Sequence, residues 1–289
     1  MFHSNNANSN LFIQLIDCFF MADEAFDKGN EIERKKVSLI YDVDYTLGDG
    51  YHPSLILEAR GVNVDDFWRK VRKAQEEQVR KGEKINLEII YLAYLMNEVR
   101  HGKLKGLSLR EIRQIGERLT NKLYPGLPEF FDEIKRANQE CDISHNLVSA
   151  GIKPLLEGSV LGRHVDNIFG YSFLDDLTPG EEIDEVMGTA SSLEKIPAVV
   201  AISRGENTKG YLYPFKWMIY LGDGQTDIPV WRFLKRYGGK RICVYDPKRP
   251  GAEEKAKGLE REVDIVLPTD YRVGGPIWKT VNKWISEME

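Results

Sequence analysis

The chain has 289 residues, of which 42% are hydrophobic and 29% charged, as in an ordinary globular protein with one large or two modest domains. Its formal net charge of −5 argues against a general nucleic-acid binder, because such proteins usually carry a clear basic excess. The 3 cysteines lie far apart, which argues against a disulfide framework or a zinc site. We therefore expect a cytoplasmic protein that binds neither nucleic acid nor a membrane, and the sequence leaves its oligomeric state open.

Residues 1–34 are predicted to form an N-terminal extension. Residues 11–21 are fairly apolar, but Gln14 and Asp17 interrupt them and no basic segment precedes them, so a signal peptide is not expected. Met21 is a plausible alternative start, and the sequence does not decide whether residues 1–20 are native.

Short apolar runs alternate with amphipathic stretches after residue 35. This alternation predicts a three-layer Rossmann-like α/β core, in which a mostly parallel sheet is covered by helices on both faces. The runs are Val37–Tyr41, Ile143–Val148, Trp217–Leu221, Ile242–Tyr245 and Ile265–Leu267, and an amphipathic helix is predicted over Pro128–Asn138.

One long interval, residues 51–124, has charged helical patterns and no convincing strand. Its predicted helices are Ser54–Arg60, Val64–Lys81, Asn86–Arg100 and Ser108–Leu123, and the last opens with the capping-box pattern of Ser108 and Glu111. A simple crossover needs only about a dozen residues, so we interpret this interval as an inserted helical domain. The core domain would then comprise residues 35–50 and 125–289.

The run Val37–Tyr41 ends in two carboxylates, Asp42 and Asp44. Two carboxylates at the mouth of a buried strand repel each other and lose hydration, and a divalent cation with oxygen ligands offsets both effects. A solvated acidic turn after a strand is the alternative interpretation.

Two later runs also end in polar residues. Ile143–Val148 is followed by Ser149 and Ala150, and Trp217–Leu221 is followed by a segment that contains Asp223 and Asp227. Ligands of open α/β sheets bind beyond the carboxyl ends of the strands, so these side chains are expected to converge with the first pair. Four carboxylates and a hydroxyl together favour Mg²⁺ and a phosphorylated substrate.

The pattern Asp-x-Asp-x-Thr, a later strand ending in Ser and a later Gly-Asp-Gly-x-x-Asp resembles the haloacid dehalogenase-like (HAD) superfamily. The resemblance covers residues 36–270 in layout. It implies that Asp42 is the nucleophile and a metal ligand, and that Asp44 is the general acid/base and offers its backbone carbonyl to Mg²⁺. It implies further that Asp223 binds the metal and that Asp227 supports the metal site.

The same resemblance assigns three further positions. Thr46 matches the Thr of the first motif, and Ser149, with Ala150 beside it, matches the phosphate-binding second motif. The family also places a Lys at a helix start before the fourth motif, and Lys195 suits that position. Lys209 and Lys216 stay open as rivals. Residues 51–124 resemble a cap of the C1 type, inserted between the first and second motifs.

The resemblance implies a Mg²⁺-dependent phosphatase of a small phosphorylated metabolite that works through an aspartyl-phosphate. The presence of Asp44 favours phosphate chemistry, because dehalogenases of this family lack the second Asp. A phosphotransferase with the same intermediate and a non-catalytic member that binds phospho-ligands remain alternatives. Arg60, Lys70 and Arg72 are candidates for substrate contacts, although a solvated helix face explains each. His52 is a candidate for facing the site, whereas His145 and His164 are expected to be structural.

Overall fold

We describe the protein from a computed structural model. The described residues are 34–83, 85–173, 186–187, 195–205 and 213–288; the side chains of 186–187 are excluded. Residues 1–33 of the predicted N-terminal extension, and Lys209, therefore lie outside the described part of the chain. No helix in the described residues combines the length and the apolar character needed to cross a membrane.

The described strands form one sheet in the order β4-β3-β2-β1-β5-β6-β7. All neighbouring pairs are parallel except β3 and β4, which pair antiparallel. The strands are β1 Lys35–Tyr41, β2 Cys141–Ile152, β3 Asn167–Phe173, β4 Val186–Met187, β5 Met218–Gly222, β6 Lys240–Tyr245 and β7 Ile265–Pro268.

Strand β1 lies at the centre of this order. The chain proceeds from β1 to β2 and β3 on one side, and through β5, β6 and β7 on the other. The reversal creates a crevice at the carboxyl ends of β1 and β5, which is where ligands bind in open α/β sheets. The backbone N–H of Asp42 donates to the carbonyl of Leu221 at 2.9 Å, so the two strands stay paired up to this edge.

The segment between β1 and β2 is helical, as predicted, and we call residues 51–124 the helical insert. Its helices are α1 Ser54–Ala59, α2 Val64–Arg80, α3 Leu87–His101 and α4 Leu109–Gly116, followed by a 3₁₀ turn at Glu117–Lys122. The insert and the sheet lie in one compact unit, Lys35–Glu289. The predicted boundary between a cap domain and a core domain stays a prediction.

The two ends of the helical insert are tied together by backbone hydrogen bonds. The N–H of Asp49 donates to the carbonyl of Lys122 at 2.9 Å, and the N–H of Tyr124 donates to that of Leu47 at 3.0 Å. The insert therefore leaves and rejoins the core at a single point, close to Asp42 and Asp44.

Helices on both faces of the sheet confirm the predicted three-layer core. Helices α5 and α10 contact each other, as do α7 and α8. The helices after the insert are α5 Glu129–Ala137, α6 Lys153–Glu157, α7 Lys195–Ser203, α8 Ile228–Arg236, α9 Ala252–Lys257 and α10 Pro276–Glu287.

The core under α5 is aromatic and contains one histidine. The ring of Tyr41 lies 5.4 Å from that of Phe131, nearly perpendicular to it. The Tyr41 hydroxyl is 2.9 Å from Nδ1 of His145, and Nε2 of the same ring is 3.0 Å from the Phe131 carbonyl. A carbonyl can only accept, so Nε2 donates and Nδ1 accepts. Burial lowers the pKa of His145 well below its usual value, which agrees with the predicted structural role.

Candidate active site

The carboxyl ends of β1 and β5 bring Asp42 and Asp227 to one ammonium group. Lys195 is the first residue of α7. Its Nζ donates to Oδ1 of each carboxylate at 2.8 Å. All three side chains are buried, with exposed residue fractions of 5%, 0% and 4% for Asp42, Asp227 and Lys195. A buried amine is tolerated where carboxylates pair with it, so the three groups form a mutually dependent cluster.

Charge and burial shift the pKa values of this cluster. Burial raises the pKa of Asp42 to about 7; Lys195 opposes the rise, and Asp227 and Asp44 add to it. Burial acts to lower the pKa of Lys195, but Asp227 and Asp42 outweigh it and hold that pKa well above its usual value. The Lys195 ammonium is therefore a fixed positive charge beside Asp42.

Asp227 has little bonding capacity left for other ligands. Its Oδ1 accepts the Lys195 ammonium and the Tyr220 hydroxyl, the latter at 2.7 Å, and its Oδ2 accepts the N–H of Gly224 at 3.2 Å. A Cβ at Gly222 would lie 2.4 Å from the Asp227 carboxyl carbon, so only glycine fits beneath this side chain. The predicted supporting position of Asp227 agrees with this geometry.

The carboxylates of Asp42, Asp223 and Asp227 form a candidate metal centre. Each offers one oxygen, and these oxygens all lie within 4.8 Å of one another. Burial, followed by repulsion from Asp227 and Asp42, holds the pKa of Asp223 well above its usual value. An all-oxygen donor set suits a hard cation such as Mg²⁺, whose charge would offset this repulsion. Three donors occupy the two oxygens of Asp227 at 2.7 to 3.2 Å, whereas Oδ2 of Asp42 accepts the Thr46 hydroxyl at a longer 3.4 Å, so Asp42 and Asp223 are the better-placed side-chain ligands.

Asp44 belongs to a second hydrogen-bonded pair, with His52. Oδ1 of Asp44 accepts the backbone N–H of His52 at 2.7 Å and lies 2.5 Å from Nδ1 of its ring. Nε2 of the ring accepts the N–H of Ile152 at 3.2 Å, so the ring hydrogen is assigned to Nδ1, which donates to Asp44. His52 thus connects the end of β2 to Asp44 as a neutral imidazole. Because Oδ1 already accepts two hydrogen bonds from His52, a proton bound by Asp44 would be on Oδ2.

Gly151 provides the space that His52 occupies. A Cβ at this position would lie 1.8 Å from Cε1 and 1.9 Å from Nε2 of the imidazole. The sequence offered His52 only as a candidate for facing the site, and nothing in the pattern indicated its pairing with Asp44. A glycine after a predicted phosphate-binding serine is a weak signal for such a close approach.

The predicted phosphate-binding residues take different positions. Ala150 lines the cavity described below. Ser149 is buried within β2 rather than after it, because the strand extends to Ile152; its Oγ accepts the N–H of Gly151 at 3.1 Å. Thr46 is also buried, and its hydroxyl donates to Oδ2 of Asp42 at 3.4 Å. Thr46 thus contacts the predicted nucleophile itself.

The remaining candidates contact other protein groups. Arg60 binds the carboxylate of Glu111 through Nε and one terminal nitrogen, at 2.7 and 2.5 Å, so only the Ser108 half of the predicted capping box forms. Lys70 pairs with Asp66. Lys216 is exposed, with Nζ 5.2 Å from the Trp217 ring centroid, so Lys195 is the described candidate lysine that reaches Asp42.

A cavity of about 290 Å³ lies between this cluster and the helical insert. The sheet side of its lining includes Asp42, Asp44, Ala150, Lys195, Asp223, Arg249 and Lys255. The insert side consists of Tyr51, Pro53, Trp68, Gln75, Asn86, Leu87, Glu88 and Tyr91. A small ligand in this cavity would touch the sheet edge and the helical insert at once.

No protein-family model matches the chain. An uncharacterized protein of Borreliella burgdorferi is 25% identical over 282 residues, which cover 87% of this chain and 95% of its relative.

Several solved structures are similar to this chain. A substrate-bound phosphoserine phosphatase matches with a TM-score of 0.55 and 19% identity, over 86% of this chain and 100% of its own. A HAD family hydrolase from Salmonella enterica serovar Typhi matches with a TM-score of 0.52 and 16% identity, over 82% and 69%. Cytosolic 5'-nucleotidase IIIB bound to cytidine matches with a TM-score of 0.52 and 17% identity, over 89% and 86%. At these identities the similarity concerns the fold, and the chain has the haloacid dehalogenase-like fold that these hydrolases share.

Proposed function

We propose that the protein is a Mg²⁺-dependent phosphatase that hydrolyses a small phosphate monoester through an aspartyl-phosphate on Asp42. The observation that carries this proposal is the buried carboxylate of Asp42, held 2.8 Å from the Lys195 ammonium in the lining of a cavity of about 290 Å³. A carboxylate in this position is poised to attack phosphorus, because the adjacent positive charge favours its ionised form.

The reaction divides into two displacements. Asp42 forms an O–P bond while the P–O bond of the ester breaks, and Oδ2 of Asp44 gives its proton to the departing alkoxide. Water then attacks the phosphorus of the aspartyl-phosphate and loses a proton to Asp44, which restores Asp42 and releases inorganic phosphate. In this scheme His52 keeps Oδ1 of Asp44 occupied, so the proton is exchanged at one oxygen only.

Positive charge and hydrogen-bond donors hold the phosphoryl group. Lys195 is the fixed cation, and the hydroxyl hydrogen of Ser149 is the donor that remains after its Oγ has accepted the N–H of Gly151. Ala150, the next residue along β2, lines the cavity. We expect Thr46 to act indirectly, by orienting Asp42 through their hydrogen bond.

Mg²⁺ would be held by Asp42, Asp223 and the backbone carbonyl of Asp44, with Asp227 in support. Bound there, the ion supplies a positive charge that neutralises phosphoryl oxygens and lowers the pKa of Asp42. The helical insert would act as a cap that excludes water from the cavity during the reaction. A phosphotransferase is the second candidate, since the same intermediate serves an acceptor other than water.

Phosphate release tests the proposal directly. The full-length protein is incubated with p-nitrophenyl phosphate and a panel of small phosphate monoesters, in Mg²⁺ and then in EDTA. We expect Asp42→Asn to lower turnover at least about 1,000-fold, as loss of a nucleophile does. Asp65→Asn, an exposed carboxylate on α2, is the matched control and should stay within about twofold of the wild type.

Equal turnover by wild type and Asp42→Asn would contradict the assignment of the nucleophile. Undiminished turnover in EDTA would contradict the metal requirement alone. Rapid loss of the ester with little inorganic phosphate, accompanied by a newly phosphorylated acceptor, would favour the phosphotransferase.

A further inference from the structure

The two walls of the cavity differ in charge. The sheet side mixes the cations Lys195, Arg249 and Lys255 with the carboxylates of Asp42, Asp44 and Asp223. Among the described lining residues of the helical insert there is no cation, and the single charged side chain is the carboxylate of Glu88. Lys84, three residues before α3 in the sequence, lies outside the described residues. A substrate that spans the cavity therefore meets cations on the sheet side, where its phosphoryl group would lie, and a carboxylate without a cation beside it in the described lining of the insert side.

Aromatic rings make up much of the wall around Glu88. The ring centroids of Tyr51 and Trp68 are 4.5 Å apart, and those of Trp68 and Tyr91 are 5.5 Å apart. The Trp68 indole N–H donates to the Ser54 hydroxyl and the Tyr91 hydroxyl donates to the Ala150 carbonyl, both at 2.8 Å. With these polar ends engaged by protein partners, the rings offer π surface, which attracts cations.

Within the described part of the chain, no cation forms an ion pair with Glu88. Its carboxylate is partly buried, which raises its pKa above the usual value. Lys195 is the one cation among its main electrostatic partners, and the Lys195 ammonium already binds Asp42 and Asp227. A carboxylate beside aromatic rings, facing a cavity, forms a site that favours a positively charged group.

We propose that the substrate is a phosphate monoester whose alcohol carries a cationic nitrogen, as in phosphocholine or phosphoethanolamine. The nitrogen would lie against Glu88, Trp68 and Tyr91, with the phosphoryl group at Asp42. This inference rests on the proposed phosphatase activity and adds the chemistry of the leaving group. It disfavours leaving groups that bear a carboxylate, since they would face Glu88.

A pair of isosteric esters tests how much the positive charge of the leaving group contributes to kcat/KM. Phosphocholine and 3,3-dimethylbutyl phosphate have nearly the same shape, but only the first carries the ammonium charge. We expect wild-type kcat/KM to be about tenfold higher for phosphocholine, as one well-placed charge interaction gives. Glu88→Gln should bring the ratio of the two kcat/KM values close to one. Glu77→Gln, which removes an exposed carboxylate on α2, should keep the wild-type ratio.

Binding of the leaving group tests the same site without turnover. Calorimetry should detect choline binding to the wild type at a Kd about tenfold lower than that of 3,3-dimethylbutanol, with the difference lost in Glu88→Gln. Circular dichroism verifies that each variant is folded, and the wild-type comparison does not depend on any variant.

Three results would overturn the proposal: equal kcat/KM for the two isosteres, faster turnover of phosphoglycolate, phosphoserine or nucleoside monophosphates than of phosphocholine, or no preference for choline over its neutral analogue in calorimetry. Each of them leaves the phosphatase assignment intact if p-nitrophenyl phosphate is hydrolysed and Asp42→Asn abolishes that activity. Failure to hydrolyse any phosphate ester would instead contradict the proposed function.

Discussion

The carboxyl ends of the strands, which we call the sheet edge, and the helical insert face the same cavity, but different interactions hold their side chains in place. At the sheet edge, charged groups are fixed by hydrogen bonds to one another, as in the contacts of Lys195 with Asp42 and Asp227 at 2.8 Å. On the insert side, aromatic rings pack against one another, and no described residue binds Glu88 in a comparable way. We infer that the sheet edge carries chemistry that tolerates little change, whereas the insert surface can vary with the substrate.

The largest effect should come from removing the cation of the sheet edge. Lys195→Met leaves two buried carboxylates uncompensated, and breaking a buried ion pair from one side typically costs about 3–5 kcal/mol. We expect a loss of about this size in the free energy of unfolding, measured with urea, together with loss of phosphate release. Lys105→Met, an exposed lysine of the insert, should change neither quantity appreciably. Unchanged stability of Lys195→Met would show that the cluster is not interdependent.

A smaller effect is expected at the link between the insert and the sheet edge. His52→Ala leaves the N–H of Ile152 without its acceptor and Asp44 without the ring donor, which should cost about 1–3 kcal/mol of stability. We expect kcat to fall about 100-fold with KM nearly unchanged, because the acid/base group is misoriented. The exposed His101→Ala is the control. A rise in KM alone would assign His52 to substrate binding instead.

Gly151 offers an independent way to displace the same imidazole. A Cβ 1.8 Å from the His52 ring must move the ring or the strand, so Gly151→Ala should lower kcat about tenfold. In a His52→Ala background the same substitution should cost almost nothing. A double-mutant cycle of kcat measures this coupling. Additive losses would mean that Gly151 serves a purpose other than making room for His52.

The smallest effect is expected within the helical insert. Arg60 and Glu111 form a bidentate pair, with 26% and 35% of the side chains exposed. Partly exposed pairs contribute about 0.2–1 kcal/mol, so Arg60→Gln should lower the unfolding free energy by no more than about 1 kcal/mol, and kcat should not change. A loss of several kcal/mol, or of turnover, would place this insert surface among the critical parts of the molecule.

Much of the fold could be predicted because its strands are apolar. All five predicted runs are strands, and each is at least partly buried. Strand β3 was missed because Asn167–Phe173 contains Gly170 and is mostly half-buried, so it lacks the continuous apolar character of a central strand. The predicted helix Ser108–Leu123 ends early, at Gly116, and continues as a 3₁₀ turn.

The candidate site was predictable where residues follow strands directly. Asp42, Asp223 and Asp227 converge because parallel strands end at one edge, which sequence order alone indicates. The pairing of His52 with Asp44 and of Glu111 with Arg60 depends on how the helices of the insert pack, and no local pattern encodes that packing. The aromatic wall around Glu88 was missed for the same reason, since Tyr51, Trp68 and Tyr91 come from three separate segments.

The most direct test of the central claim is to identify the residue that becomes phosphorylated. The Asp44→Asn variant is mixed with p-nitrophenyl phosphate and Mg²⁺, quenched in acid within one turnover and digested with trypsin for mass spectrometry. We predict one phosphoryl group on the peptide 37–60, located at Asp42 by fragmentation and absent when Asp42→Asn is combined with Asp44→Asn. Phosphate release without label on this peptide, or label on another residue, would contradict the account.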